Sequence, residues 1–199
     1  MVNILSNSFN VKDYRFIFLM LMLIVLPSLE APKNLFALLY VFSWGFIAYR
    51  QKNWGGRWRL LDSLFAFFLF GNIAVSINAT YILDLPVSAI NDVTRYLLIV
   101  WVLSRHFLTK NQIFFLYFSV VLSTVVSLIY TLFLCPDGGV CLELNSVGHV
   151  NHSAIYLIIS YAIGLSLLIA NFYSLLNYQK ILLILSIIIF AYAIVLSSS

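Results

Sequence analysis

Charge is the scarcest property of this chain. Aspartate, glutamate, lysine and arginine together make up 9% of its 199 residues, against about 25% in a typical soluble domain. So few charges cannot cover a water-facing surface, which excludes an ordinary soluble globular protein. A glycine-rich phosphate loop, a nucleophile elbow and an acidic metal motif are also missing, and with them the usual signs of ATP use and hydrolase chemistry. The sequence contains no internal repeat, low-complexity tract or separate soluble domain.

What fills the chain instead is apolar: 63% of the residues are hydrophobic and the mean hydropathy is +1.02. A helix needs ~20 apolar residues to cross the hydrocarbon core of a bilayer, whereas a barrel strand is ~10 residues of alternating polarity. The apolar runs here are long and do not alternate, so helices are expected. Seven runs predict an all-α polytopic bundle over residues 1–199: Tyr14–Leu29, Asn34–Tyr49, Leu60–Ile77, Val93–Leu108, Ile113–Leu134, Ser153–Phe172 and Ile181–Leu196. Lys12 and Arg15 precede the first run as in a signal peptide, but a small-x-small cleavage site is missing around Ala31, so the run is read as an uncleaved span.

The basic residues predict the orientation. A cytoplasmic N-terminus puts Lys12, Arg15, Arg50, Lys52, Arg57, Arg59, Arg105, Lys110 and Lys180 in or beside the cytoplasm, and only Lys33 and Arg95 outside. This follows the enrichment of lysine and arginine in cytoplasmic loops. It also explains the formal net charge of +4 without a nucleic-acid partner. Trp44, Trp54 and Trp58 then fit an aromatic belt near the cytoplasmic face. The C-terminal end falls on the periplasmic side, where the chain stops at Ser197-Ser198-Ser199 with no polar tail, as an interrupted polytopic protein would.

Polar residues gather where the sixth run begins, at Asn145-Ser-Val-Gly-His-Val-Asn-His-Ser153. Asn151 or Ser153 could cap that helix, and His149 and His152 are three residues apart, so they share a face if the helix starts early. Two readings stand side by side: a pocket at the membrane surface for an anionic headgroup, drawn by the positive helix end, or a cap with interfacial histidines. Arg95 is either a bidentate phosphate contact or the ion-pair partner of Asp92 or Asp84. Asp62 reads as an acid placed to suit the dipole of the third helix, beside Arg57 and Arg59. His106 reads as a cytoplasmic interface residue. Asn72, Ser76 and Asn78 could face the bundle interior. Cys135 and Cys141 lie in the outer loop and could close a disulfide in an oxidising compartment. Two cysteines and two histidines in that region fit no structural zinc spacing, so metal is not expected.

The stretch Gly148-His-Val-Asn151-His152-Ser-Ala-Ile-Tyr156-Leu resembles the entry to a central helix in the O-antigen ligase/polymerase-like family. In that family the next helix ends in a Ser/Thr-Ser-Arg-Gly/Ser-type motif. Here Val195-Leu196-Ser197-Ser198-Ser199 stands where that motif would begin, and its arginine is absent. The resemblance implies the N-terminal part of a multi-pass enzyme of the bacterial inner membrane. Such enzymes move a glycan from an undecaprenyl-diphosphate carrier to an acceptor hydroxyl on the periplasmic side. The acceptor is the lipid A core for a ligase and another glycan repeat for a polymerase, and no cofactor is needed. Arg95, His149, Asn151 and His152 are then the candidate substrate-binding residues, with no catalytic base assigned. The family's key arginines and a histidine lie largely in later segments, so activity is expected of the family rather than of these 199 residues alone. The other readings are a polysaccharide transporter or flippase, or a non-enzymatic assembly protein.

Overall fold

A computed structural model describes residues 13–83, 88–133, 144 and 150–197. Every element among them is a helix: α1 (Tyr14–Val25), α2 (Glu30–Gln51), α3 (Leu60–Leu83), α4 (Ser88–Arg105), α5 (Lys110–Phe133), α6 (Val150–Asn171) and α7 (Asn177–Ser197). Each of the seven apolar runs coincides with one of these helices. Four segments, Leu60–Ala79, Lys110–Thr131, His152–Asn171 and Asn177–Val195, are long and apolar enough to cross a membrane. They mark the chain as a membrane-embedded helical protein.

The helix ends follow local chemistry, and they move several expected boundaries. Helix α1 stops at Val25 because Pro27, two residues on, has no N–H to continue the ladder. The turn is closed by the Leu29 amide on the Val25 carbonyl at 2.9 Å. Helix α2 begins at Glu30 rather than Asn34. Pro32 falls in its first turn, where backbone amides need no intrahelical acceptor, and Glu30 suits the positive end. Its other end is a Schellman turn. The Asn53 amide donates to the Ala48 carbonyl at 3.0 Å and the Lys52 amide to the Tyr49 carbonyl at 3.3 Å. Lys52 holds the left-handed position (φ 49°) that glycine usually takes.

Helix α5 opens with a capping box. The Thr109 amide donates to Gln112 Oε1 at 2.9 Å, and the Gln112 amide returns to Thr109 Oγ1 at 3.3 Å. At the start of α7 the Leu176 amide donates to Gln179 Oε1 at 3.1 Å. Helix α6 begins at Val150, three residues before the predicted Ser153. Ser153 is therefore inside the first turn instead of ahead of it. Its Oγ accepts from the Leu144 amide at 3.0 Å, so it holds Leu144 and does not cap the helix.

The chain forms two compact units. One comprises the residues up to Phe36 together with Thr109–Ser199; the other is Ala37–Leu108. In the first, α5 is central: it packs on α1, α6 and α7, and α6 packs on α7. Val121, Leu128, Leu157, Leu183 and Phe190 form its core. Helices in lipid gain little from apolar burial against one another, so close backbone approach and small polar contacts carry more of the association. Both occur here. Thr124 and Ser160 share a hydrogen bond of 3.1 Å between α5 and α6. A Cβ added to Gly164 would lie 3.5 Å from Ile187 of α7 and 3.6 Å from Val121 of α5.

In the second unit, α3 packs on α4. Only 6% of the apolar window of α3 is fully buried, against 39% for α5, while Phe65, Ala66, Leu69 and Ile73 are half-buried. Because the space at Gly164 suits a methyl group but nothing larger, Gly164→Ala should be close to neutral. Gly164→Leu should overpack the α5–α6–α7 junction and cost about 1–3 kcal/mol. Unfolding of the purified variants in mixed detergent micelles measures the difference.

Candidate functional site

The most organised polar cluster among the described residues lies in the second unit, where α2 ends, α3 begins and α4 ends. Its centre is Asp62, the third residue of α3. Its Oδ2 accepts from the Arg59 amide at 2.6 Å, the acidic half of a capping box. Its Oδ1 accepts from Trp101 Nε1 and from Arg105 Nε, each at 2.8 Å. Arg105 Nη2 also meets Oδ2 at 2.5 Å, so the guanidinium grips the carboxylate with two parallel bonds.

The remaining face of Arg105 is held by the loop that joins α2 to α3. Arg105 Nη1 donates to the Trp54 carbonyl at 2.6 Å and to the Gly56 carbonyl at 3.4 Å. The loop can approach this closely because of Gly55. That residue has φ 80°, and a Cβ there would fall 2.7 Å from the Arg105 carbonyl oxygen. Aromatic rings enclose the pair. Arg105 Cζ lies 5.3 Å from the Trp101 centroid, and Trp44 meets Trp101 and Trp54 edge-on at 5.4 and 5.8 Å. Nearby in sequence, His106 Nδ1 and Tyr40 Oη share a hydrogen bond of 3.1 Å, both side chains being buried.

This arrangement holds; it does not react. Both carboxylate oxygens are committed to donors, so Asp62 is not available as a base. The Arg105 donors on the inner side are spent on Asp62 and two backbone carbonyls, so Arg105 is not available to a phosphate. Asp62 suits the positive end of α3 and Arg105 the negative end of α4. The pair is a clamp that joins the start of α3, the end of α4 and the loop that leads from α2 to α3.

The structure adds two long-range partners that the sequence did not name. Asp62, expected to suit the dipole of its helix, is also paired with Arg105, 43 residues away. His106, expected as a cytoplasmic interface residue, is buried against Tyr40. The sequence held one signal for the first: Asp62 and Arg105 stand at those ends of two apolar runs that the orientation rule places on the same side.

The residues predicted for an outer pocket are distributed differently. Arg95 lies on α4, half-buried, with Cζ 5.7 Å from the centroid of Tyr96. It is ten residues before Arg105, roughly 15 Å along the helix toward its other end. Two polar atoms of the same unit, Asn72 Nδ2 on α3 and Thr94 Oγ1 on α4, are buried without a hydrogen-bond partner among the described residues. His152 is exposed in the first turn of α6. Asn151 occupies a helical position beside it. His149 and the two cysteines, Cys135 and Cys141, lie outside the described residues. Arg95 belongs to the second unit and His152 to the first. No group of three or more metal-ligating side chains occurs among the described residues.

No protein-family model matches the chain, and neither a curated protein nor a solved structure does.

Removing one partner of a buried ion pair strands the other charge, at a cost of about 3–5 kcal/mol, whereas replacing both by apolar residues is often tolerated. Arg105→Met should therefore destabilise the protein by that amount, and Asp62→Leu combined with Arg105→Met by clearly less. A double-mutant cycle on unfolding in mixed micelles tests this; additive losses would show that the two side chains act independently.

Proposed function

We propose that the chain is a seven-span protein of the bacterial inner membrane, N-terminus cytoplasmic, of the O-antigen ligase/polymerase type. In this reading it receives an undecaprenyl-diphosphate-linked glycan on the periplasmic side. The observation that carries the reading is the run Gly148–Leu157, whose polar residues His149, Asn151, His152 and Ser153 straddle the start of α6. Because α6 starts at Val150, Asn151 and His152 stand in its first turn, where the free amides and the helix dipole favour an anionic group. Asn72 Nδ2 and Thr94 Oγ1, buried without a hydrogen-bond partner among the described residues and in the same unit as Arg95, add a second reason to look for a polar ligand on α4.

The chemistry of such a transfer is simple in outline. An acceptor hydroxyl attacks the anomeric carbon, the bond from that carbon to the diphosphate breaks, and undecaprenyl diphosphate leaves with the bonding electrons. Negative charge grows on the leaving oxygen, so cationic donors there lower the barrier. Arg95 is the donor proposed for that oxygen. A base must take the hydroxyl proton, and it is not assigned to a residue of this chain. The orientation draws support from the clamp, which gathers Arg105 and the Arg50–Arg59 stretch at one end of α2, α3 and α4, as cytoplasmic connections rich in arginine and lysine would be.

Two measurements test the reading. A reporter active only in the periplasm should work when fused at Gly139 and stay silent when fused at Gly56; the reverse pattern would overturn the orientation. Binding of an undecaprenyl-diphosphate-linked oligosaccharide to the protein in detergent should weaken about tenfold in Arg95→Ala, the worth of one charge-assisted hydrogen bond, and recover in part in Arg95→Lys. Undiminished binding would remove Arg95 from the site.

A further inference from the structure

A second feature lies beside the clamp and takes no part in the proposed transfer. Helices α2 and α4 and the start of the loop after α2 bound a groove of about 450 Å³, within the roughly 300–1,000 Å³ of ordinary ligand clefts. Its walls are almost wholly apolar, formed chiefly by Phe42, Trp44, Phe46, Trp54 and Trp101. Trp44 is buried as the floor, while Phe42, Phe46 and Tyr49 at the edge are 70%, 61% and 74% exposed. Gly45 lies in the same wall, and a Cβ built on it meets nothing within 4 Å. The missing side chain leaves room along the groove.

Its rim is cationic. Arg50 is exposed, with Cζ over the Phe46 ring at 5.5 Å from the centroid. Lys52, Arg57 and Arg59 follow in the exposed connection to α3. The stretch from Arg50 to Arg59 contains no acidic residue, and the next acid, Asp62, is already committed to Arg105. An apolar slot with Arg50 over one wall and a basic connection next in sequence matches one kind of molecule: a hydrocarbon chain attached to an anion. A partner helix suits the slot less well. A helix ~10 Å across fills this volume with about one turn, whereas a single acyl chain can lie along it.

We propose that this groove is a binding site for an anionic phospholipid of the leaflet that faces the 52–59 loop, with an acyl chain against Trp44 and Trp101 and the phosphate at Arg50. The site would couple lipid to the clamp, because Trp101 and Trp54 contribute to both. It depends only on the chain being membrane-embedded and not on the glycan reading.

The four tryptophans make the test direct. Trp44, Trp54 and Trp101 line the groove, and Trp58 does not. The full chain in a Trp58→Phe background is reconstituted into vesicles of zwitterionic phosphatidylcholine, and brominated phosphatidylglycerol or brominated phosphatidylcholine is titrated in. Bromine on the acyl chain quenches tryptophan on contact. The anionic lipid should quench at about fivefold lower mole fraction, the worth of one basic residue near an anionic surface. Arg50→Gln should abolish that preference while quenching by the zwitterionic lipid persists. Gly45→Leu, whose Cβ meets nothing within 4 Å, should reduce quenching by both lipids. Equal quenching by the two lipids in the parent protein would overturn the proposal, and so would full quenching in Gly45→Leu. Tryptophans shielded from both lipids, as a second copy seated in the groove would shield them, would overturn it as well.

Discussion

A carboxylate and a guanidinium cannot leave water cheaply. Each loses several kcal/mol of hydration on entering an apolar region, and their attraction offsets this only when the geometry is good and the remaining hydrogen-bonding capacity is filled. The Asp62–Arg105 pair meets both conditions. Its side chains are 4% and 7% exposed, and the surrounding donors and acceptors come from Trp101, the Arg59 amide and the carbonyls of Trp54 and Gly56. The consequence is geometric. Each partner is acceptable where it is only because a specific helix end or loop segment is also there, so the start of α3, the end of α4 and the loop before α3 cannot drift independently.

The two units of the chain solve the same problem in different ways. Around α5 the helices meet through close contact at Gly164, one shared hydroxyl bond and a continuous apolar core. The unit of α3 and α4 instead relies on a polar clamp at one end, beside indole rings, and fully buries little of the apolar length of α3. Indoles suit that place. They combine a large apolar body with an N–H that needs an acceptor, and Trp101 supplies both to the clamp. The lipid groove follows from the same choice, since large rings that wall off an ion pair also leave an apolar slot on their outer side.

Much of the fold was legible because helix formation in lipid is forced by local facts. An apolar run with no water to satisfy its backbone must bond within itself, so the seven runs locate the seven helices. The ends were less legible. Pro32 was compatible with a first turn, and Ser153 with either a cap or an interior position. Which applies depends on where the neighbouring chain supplies acceptors and donors, as the Leu144 amide does for Ser153. The site was legible in part only. Arg95 and His152 could be singled out by residue type, and Asp62 by its place at a helix start. The union of Asp62 with Arg105, and of Tyr40 with His106, spans 43 and 66 residues, and no local pattern encodes a contact at that range.

The sequence by itself determined that this protein lives in a membrane, that each apolar run carries a helix, and where those runs lie. Those properties depend on hydration and backbone hydrogen bonding, which act residue by residue along the chain. Only the tertiary structure decided which charges meet, which aromatic rings enclose them, and that Gly55 is there to let a loop reach Arg105. Those outcomes depend on how helix ends come together in space, and in an apolar medium a misplaced polar group has no water to fall back on.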